Sequence, residues 1–286
     1  MEHPVEFLVH AYLANVRAGK ASMSEETIDG IVKHVETAVH KQFQSTDNKN
    51  FRLRGSNIGR AACQLWFQKN APEKAVDPPS HFLLRMMIGD ITEAVFKGIL
   101  KEAGATFQDS ERVETEIGGT KIAGEYDLIL DDKVDDIKSA SPWAYKNKWL
   151  DGKHLEASDS FGYIGQLTTY AKAADVEPGG WWVINHSSGE FKYIPYASDP
   201  IEVTEKLSAT VKSLDANKFA RCFSPTPETF RGVQSGNYVL NTECRFCSFK
   251  QACWGDRLTE EPSRVSKAKI KPMVNYIAME EENAPL

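Results

Sequence analysis

The spacing of apolar positions changes twice along this chain, and the changes divide it. Over residues 23–43, Ile28, Ile31, Val32, Val35, Val39 and Phe43 return at helical spacing behind the capping-box pair Ser22 and Glu25. With a shorter periodic stretch over 4–18, this predicts two N-terminal helices. The polar run 44–50 reads as a linker. A short helix is expected from Ser56. A longer one is expected over 80–103, where Leu83, Leu84, Met87, Ile91, Val95 and Ile99 share a face and Gly104 marks the stop.

From residue 111 the pattern alternates. The stretch "ERVETEIGGTKIAGEYDLILDDKVDDIKSAS" breaks at Gly118-Gly119 and at Asp131-Asp132, which predicts three successive strands joined by hairpin turns. A helix follows around 159–174. Next come a hairpin over 180–196, turning at His186–Gly189, and an amphipathic helix from Asp199. This order predicts an α/β (mixed α+β) fold, a central mixed sheet flanked by helices. Three segments are expected: a helical segment 1–50, a core 51–256 ending in a cysteine-rich stretch, and a charged, weakly patterned and flexible tail 257–286. No internal repeat is visible.

At 286 residues, 41% hydrophobic and 26% charged, the chain can bury one large core, or a core and a small second lobe. No apolar run approaches the ~18 residues needed to cross a bilayer. The first residues, "MEHPVEFLVHAYLANV", place acids before the apolar positions and offer no small-residue cleavage site, so a cytoplasmic protein is expected. A net charge of −6 weighs weakly against a nucleic-acid partner, but acids clustered at a metal site would mask basic surface elsewhere.

The candidate chemistry begins in "GEYDLILDDKVDDIKSAS", residues 124–141. Asp127 and Asp136, from neighbouring strands, are placed to share a hard divalent cation such as magnesium. Such an ion lowers the pKa of bound water and stabilises charge developing on a phosphodiester. Lys138 follows Asp136 by two positions and so shares its face of the strand. An ammonium there can orient or help deprotonate a water, or offset the developing charge. Glu93 is available as a third carboxylate, and Gln166 and Tyr170 lie four apart on one helix face. Taken one at a time, these residues also fit a solvated hairpin and a core tyrosine.

Five cysteines without a secretion signal point away from disulfides. Cys244, Cys247 and Cys253 crowd into "ECRFCSFKQACW". With Cys63 they make four thiolates, a set that suits zinc or an iron–sulfur cluster. Cys222 is expected to be buried as a small apolar residue. The seven histidines show no ligand spacing. In "SPWAYKNKWLDGKH", Trp143, Tyr145 and Trp149 alternate with Lys146, Lys148 and Lys153. That pattern fits a groove for single-stranded DNA, or core tryptophans with a rim of solvated lysines.

Together, Gly124-x-x-Asp127, Asp136-Ile137-Lys138 and Gln166-x-x-x-Tyr170 resemble the PD-(D/E)XK nuclease superfamily, in particular its RecB-like branch. The cysteine pattern resembles the iron–sulfur members of that branch, the CRISPR-adaptation exonucleases and AddB-type nuclease domains. In these, one distant N-terminal cysteine joins three C-terminal ones around a 4Fe–4S cluster. The resemblance covers residues 52–256. It implies a restriction-endonuclease-like core and Mg2+ or Mn2+ held by Glu93, Asp127 and Asp136 with the Ile137 carbonyl. It further implies Lys138 acting on the water, and Gln166 and Tyr170 steadying the site or the substrate. The cluster would be bound by Cys63, Cys244, Cys247 and Cys253, with structural zinc as the alternative. The expected activity is a DNA exonuclease acting on single strands or ends, in recombination or DNA processing. An endonuclease with the same site and a catalytically silent DNA-binding scaffold are the rivals. Many members carry a metal-binding His one residue before the position of Glu93. This chain has Thr92 there, which weakens any second metal position.

Overall fold

The computed structural model describes residues 3–44, 51–216 and 218–279. The chain divides into two compact units, Met1–Gly59 with Pro79–Lys212, and Arg60–Pro78 with Ser213–Leu286. This boundary cuts across the expected 51–256 core.

In the first unit the alternating stretch becomes a meander of β1 (Phe107–Ile117), β2 (Thr120–Leu130) and β3 (Lys133–Ala140). Each turn has two left-handed positions, Gly118 and Gly119 (φ 59° and 81°), then Asp131 and Asp132 (φ 50° and 57°). That backbone matches the twist of the flanking strands; glycine adopts it freely and aspartate tolerates it. β4 (Glu177–Asn185) lies parallel to β3, and β5 (Phe191–Pro195) pairs antiparallel with β4, giving the order β1-β2-β3-β4-β5.

A tight turn cannot join parallel neighbours. The chain therefore crosses over between β3 and β4 through α6 (Pro142–Asn147), α7 (Gly152–Ala157) and α8 (Tyr163–Ala174). α6 and α7 were not expected from periodicity. Their signals are short-range: the Ser141 side chain accepts from Ala144 N–H, and that of Asp151 from His154 N–H.

α8 covers one face of the sheet, where Leu167, Tyr126 and Trp181 share a core. Against the other face, α1 (Pro4–Arg17) and α5 (Phe82–Glu102) bury Val9, Phe96, Leu128, Ile137 and Trp182. Both β4 tryptophans are fully buried, one in each core, as expected for a strand covered on both sides. α2 (Glu25–Gln44) packs on α5. The result is a five-stranded mixed sheet flanked by helices, consistent with a restriction-endonuclease-like core. Among the described residues no helix is long and apolar enough to cross a membrane.

The helix expected from Ser56 is two pieces, α3 (Gly55–Ile58) and α4 (Ala62–Asn70). At Gly59 an added Cβ would lie 2.3 Å from the Gly162 carbonyl oxygen, so the chain breaks at a close backbone approach. In the second unit, β6 (Thr226–Phe230), β7 (Val233–Val239), β8 (Leu258–Pro262) and β9 (Met273–Ile277) form a sheet of order β6-β7-β9-β8, with a short helix at Lys250–Trp254. The weakly patterned tail therefore supplies two strands. Both are five residues long; β8 is polar apart from Leu258 and Pro262, and Leu258 packs with Trp254 and with Ile277 of the mainly apolar β9. Of the 44–50 linker, 45–50 lie outside the described residues.

Candidate active site

β2 and β3 stay paired only as far as Leu128↔Asp135. Beyond that point a side chain takes over the ladder: Asp127 Oδ2 accepts the Ile137 N–H at 2.7 Å. Asp136, next in β3, is 1% exposed, and neither of its carboxylate oxygens has a fixed hydrogen-bond donor. Its charge is answered by Lys138, whose Nζ stands 2.5 Å from Asp136 Oδ2, as their shared strand face requires.

The electrostatics follow from this crowding. Burial, then the Asp136 charge, then Glu93, raise the Asp127 pKa well above the usual carboxylate range. Asp136 is raised by burial, although Lys138 opposes the shift. For Lys138, burial would favour the neutral amine, but the pull of Asp136 and Asp127 wins and its pKa rises. The lysine therefore stays an ammonium, whose Nζ also sits 5.3 Å from the centre of the Tyr163 ring.

Tyr170 closes the site from α8. Its hydroxyl accepts from Gln166 Nε2 at 3.2 Å, and burial pushes its pKa up to about 12. The ring edge sits in a notch made by two glycines: a Cβ added at Gly55 or Gly124 would lie 2.1 or 2.4 Å from Tyr170 Cε1. The expected Gly124-x-x-Asp127 spacing thus has a packing reason. Gly124 admits the tyrosine, and Asp127 turns its carboxylate to β3.

Glu93, on α5, is held by neighbours that the sequence reading missed. Lys97, one helical turn on and 6% exposed, places Nζ 2.9 Å from Glu93 Oε1 and 3.1 Å from Asp109 Oδ1 on β1. His34 Nε2 is 4.0 Å from the same Glu93 oxygen. A Glu–Lys pair four apart on a helix is ordinary in any sequence, so nothing in the chain singled out Lys97. Thr92 turns away, donating its hydroxyl to the Ile88 carbonyl at 2.6 Å on the exposed side.

A buried carboxylate with no hydrogen-bond donor on either oxygen, repelled by a half-buried second one, has the chemistry of a hard-cation site, since a cation between them removes that repulsion. Glu93 acts on both through its charge while bonded to Lys97. Among the described residues, no three His, Cys, Asp or Glu side chains already surround a common centre.

The aromatic–lysine stretch divides by exposure. Trp143 is 69% exposed on α6, and Lys146 is exposed beside it. Tyr145 is half-buried, with Lys192 Nζ 4.3 Å from its ring centre. Lys148 Nζ lies 4.5 Å from the ring centres of Phe161 and Tyr163. Trp149, which the sequence offers either to a DNA groove or to the core, is 3% exposed in the core beside Trp181, where no base can stack on it. A cavity of about 310 Å3, lined by Thr168, Lys172, Pro178, Pro200, Ile201 and Thr204, includes none of the candidate site residues.

All five cysteines are free and lie in the second unit. Cys222 is exposed rather than buried, and its Sγ accepts the Cys63 N–H at 3.1 Å. The hydrogen bond between these two thiols holds Cys63 protonated and draws Cys222 down to about 6. Burial, then neighbouring thiols, push Cys244 up to about 12. Burial also raises Cys247 and Cys253, and Arg221 donates to the Cys253 carbonyl at 2.9 and 3.1 Å. The thiols are gathered, but not arranged around one point.

No match was found among curated proteins. Among solved structures, one titled "Crystal structure of SSO0001" is 16% identical, with a TM-score of 0.42, over 81% of this chain and 98% of that one. The profile of the PD-(D/E)XK nuclease superfamily matches residues 8–254, a span that contains the hairpin acids, Lys138, α8 and Glu93. The chain belongs to the PD-(D/E)XK nuclease superfamily.

Proposed function

We propose that the protein is a metal-dependent deoxyribonuclease, an exonuclease that degrades single-stranded DNA or DNA ends during recombination or DNA processing. The observation that carries this reading is the buried Asp136 carboxylate beside half-buried Asp127, with Lys138 Nζ 2.5 Å from Asp136 and the Gln166–Tyr170 pair closing the site. Asp127 and Asp136, with Glu93 and the Ile137 carbonyl, would hold Mg2+ or Mn2+. When bound, such an ion supplies a more acidic water and a positive charge at the phosphate. Lys138, kept protonated by its two acids, offsets charge on the phosphate oxygens and orients the water rather than removing its proton. Gln166 and Tyr170 fix the wall beside it. Exposed Trp143 and Lys146 are suited to an unpaired base and its phosphate.

In the second unit the four thiols Cys63, Cys244, Cys247 and Cys253 have the donor chemistry for a 4Fe–4S cluster, with structural zinc as the alternative. Cys222 beside Cys63 adds a fifth sulfur that the four-cysteine pattern does not contain.

The test uses protein purified without oxygen, on end-labelled linear and on circular single-stranded DNA, with Mg2+ or Mn2+, beside Asp136→Ala and Lys138→Ala. Degradation of linear DNA alone, lost by ~10²-fold or more in both variants, is the expected result. Loss of circles as well would make it an endonuclease. No cutting by folded, metal-loaded wild type would refute the reading in favour of a DNA-binding scaffold.

A further inference from the structure

We propose that Cys63 and Cys222 are interchangeable as the fourth thiolate of the metal centre in the second unit, with Cys244, Cys247 and Cys253 as its fixed three. The inference rests on the thiolate-centre reading above and concerns the cysteine which that reading leaves without a role. Cys222 meets Cys63 in two ways. Its Sγ accepts the Cys63 N–H at 3.1 Å, and the Cys63 thiol donates to the same sulfur. The backbone contact places the Cys222 sulfur at the start of α4, where Ala61 supplies no side-chain cap. Backbone N–H groups at a helix start favour a sulfur as thiolate, the form that binds metal.

The other three thiols lie around this pair. Arg221, the residue before Cys222, donates to the Cys253 carbonyl at 2.9 and 3.1 Å, which ties the 221–222 segment to the last of the fixed cysteines. After burial, the Cys222 charge is among the influences that raise Cys244, Cys247 and Cys253, so its sulfur stands near all three. Phe67, Phe219 and Phe249 pack with Cys247 and Cys253 in one apolar cluster, and such a shell limits water at a thiolate centre. The described thiols do not surround one point, so a metal has to draw them together. At the fourth position it finds two sulfurs side by side. Binding by either one releases that thiol's proton and leaves the other as a neutral thiol, hydrogen-bonded to the bound sulfur. Cys222 is the exposed member of the pair and Cys63 is half-buried, so an incoming ion meets Cys222 first.

The test uses the full chain, purified without oxygen and reconstituted either with ferrous iron and sulfide or with Zn2+. It reads bound iron and sulfide, Zn2+ retained against a chelator, and the absorption spectrum of the iron-loaded protein. Cys63→Ala and Cys222→Ala should each keep the wild-type metal content and spectrum, because the fixed three and one sulfur of the pair remain. Cys63→Ala/Cys222→Ala should lose most of the metal, as should Cys244→Ala. If an alanine variant does not fold by circular dichroism, serine at the same position carries the same expectation. Loss of metal in Cys63→Ala with none in Cys222→Ala overturns the exchange and leaves the four-cysteine centre standing. Loss in Cys222→Ala alone, or in both single variants, also overturns it, and a double variant that keeps its metal removes both sulfurs from the ligand set. Wild type that takes up neither metal sinks the thiolate-centre reading along with the exchange.

Discussion

Gly124→Ala tests whether the tyrosine of the site is held by packing. The new Cβ would sit 2.4 Å from Tyr170 Cε1 and 3.3 Å from Cδ1 and Cζ. Ordinary carbon–carbon contact is about 3.5–4.0 Å, so the overlap with Cε1 exceeds an ångström. The ring has little room to retreat: it is 4% exposed, and the same edge already meets Gly55. Overpacking of this kind costs about 1–3 kcal/mol, and the lower chain entropy of alanine in the unfolded state returns up to about 1. A net loss of about 1–2 kcal/mol is expected. At about 2–4 °C per kcal/mol for a chain of this size, that lowers Tm by about 2–8 °C by circular dichroism. Any ring displacement moves the hydroxyl out of line with Gln166 and the acids, so the nuclease rate should fall by up to ~10²-fold in protein that is still folded. The cause is checked by repeating the change in a Tyr170→Leu background. There the ring edge is gone, and Gly124→Ala should cost at least about 1 kcal/mol less than in wild type. Wild-type melting and activity in Gly124→Ala would refute the packing argument, and equal costs in both backgrounds would show that Tyr170 is not the residue displaced.

Two further perturbations read other parts of the same unit. Asp135, on the opposite face of β3 from Asp136, accepts from Trp182 Nε1 at 3.0 Å and Tyr193 OH at 2.9 Å, yet burial raises its pKa to about 7 from 3.8. A raised carboxylate pKa means that the folded state holds the proton longer. Stability of metal-free protein should therefore fall as pH rises from about 4 to about 7, by up to about 4 kcal/mol for about three pKa units. Asp135→Asn should remove the Asp135 share of that slope, leaving what Asp127 and Asp136 add, in urea melts taken across this range, and parallel curves for the two proteins would sink the argument. Trp149→Ala should cost about 3–5 kcal/mol in the same melts as a core truncation. Trp143→Ala should leave stability within about 0.5 kcal/mol but weaken single-stranded DNA binding by about 1–3 kcal/mol in a fluorescence titration. The reverse pattern would return Trp149 to the groove.

The meander was legible because its two turns carry their own chemistry, paired glycines and paired aspartates, between alternating strands. The acids, the lysine and the Gln–Tyr pair were legible because a superfamily pattern joins them across distant stretches. What the sequence hid depends on packing. α6 and α7 are too short for periodicity and are announced only by Ser141 and Asp151. Trp143 and Trp149 are chemically alike in sequence, and their opposite exposure comes from where α6 ends. Lys97 looks like any helical partner of a glutamate until its burial and its contact with Asp109 are known. Cys222 stands alone along the chain and meets Cys63 only through folding. The strands β8 and β9 escaped notice because each is only five residues long, β8 carries two glutamates, and β9 finds its partners, β7 and β8, only through folding.

The parallel pairing of β3 with β4 has a consequence for how this protein can change over generations. Both hairpin acids and Lys138 belong to a local turn of chain that holds its own geometry, whereas Gln166 and Tyr170 arrive on the crossover, after α6 and α7. The stretch between Ser141 and Gly162 lies outside every strand ladder, so it can lengthen, shorten or exchange side chains without disturbing the strand register that aligns Asp127 with Asp136. The hairpin fixes the chemistry, and the crossover is the part of the chain free to diversify what is brought to it.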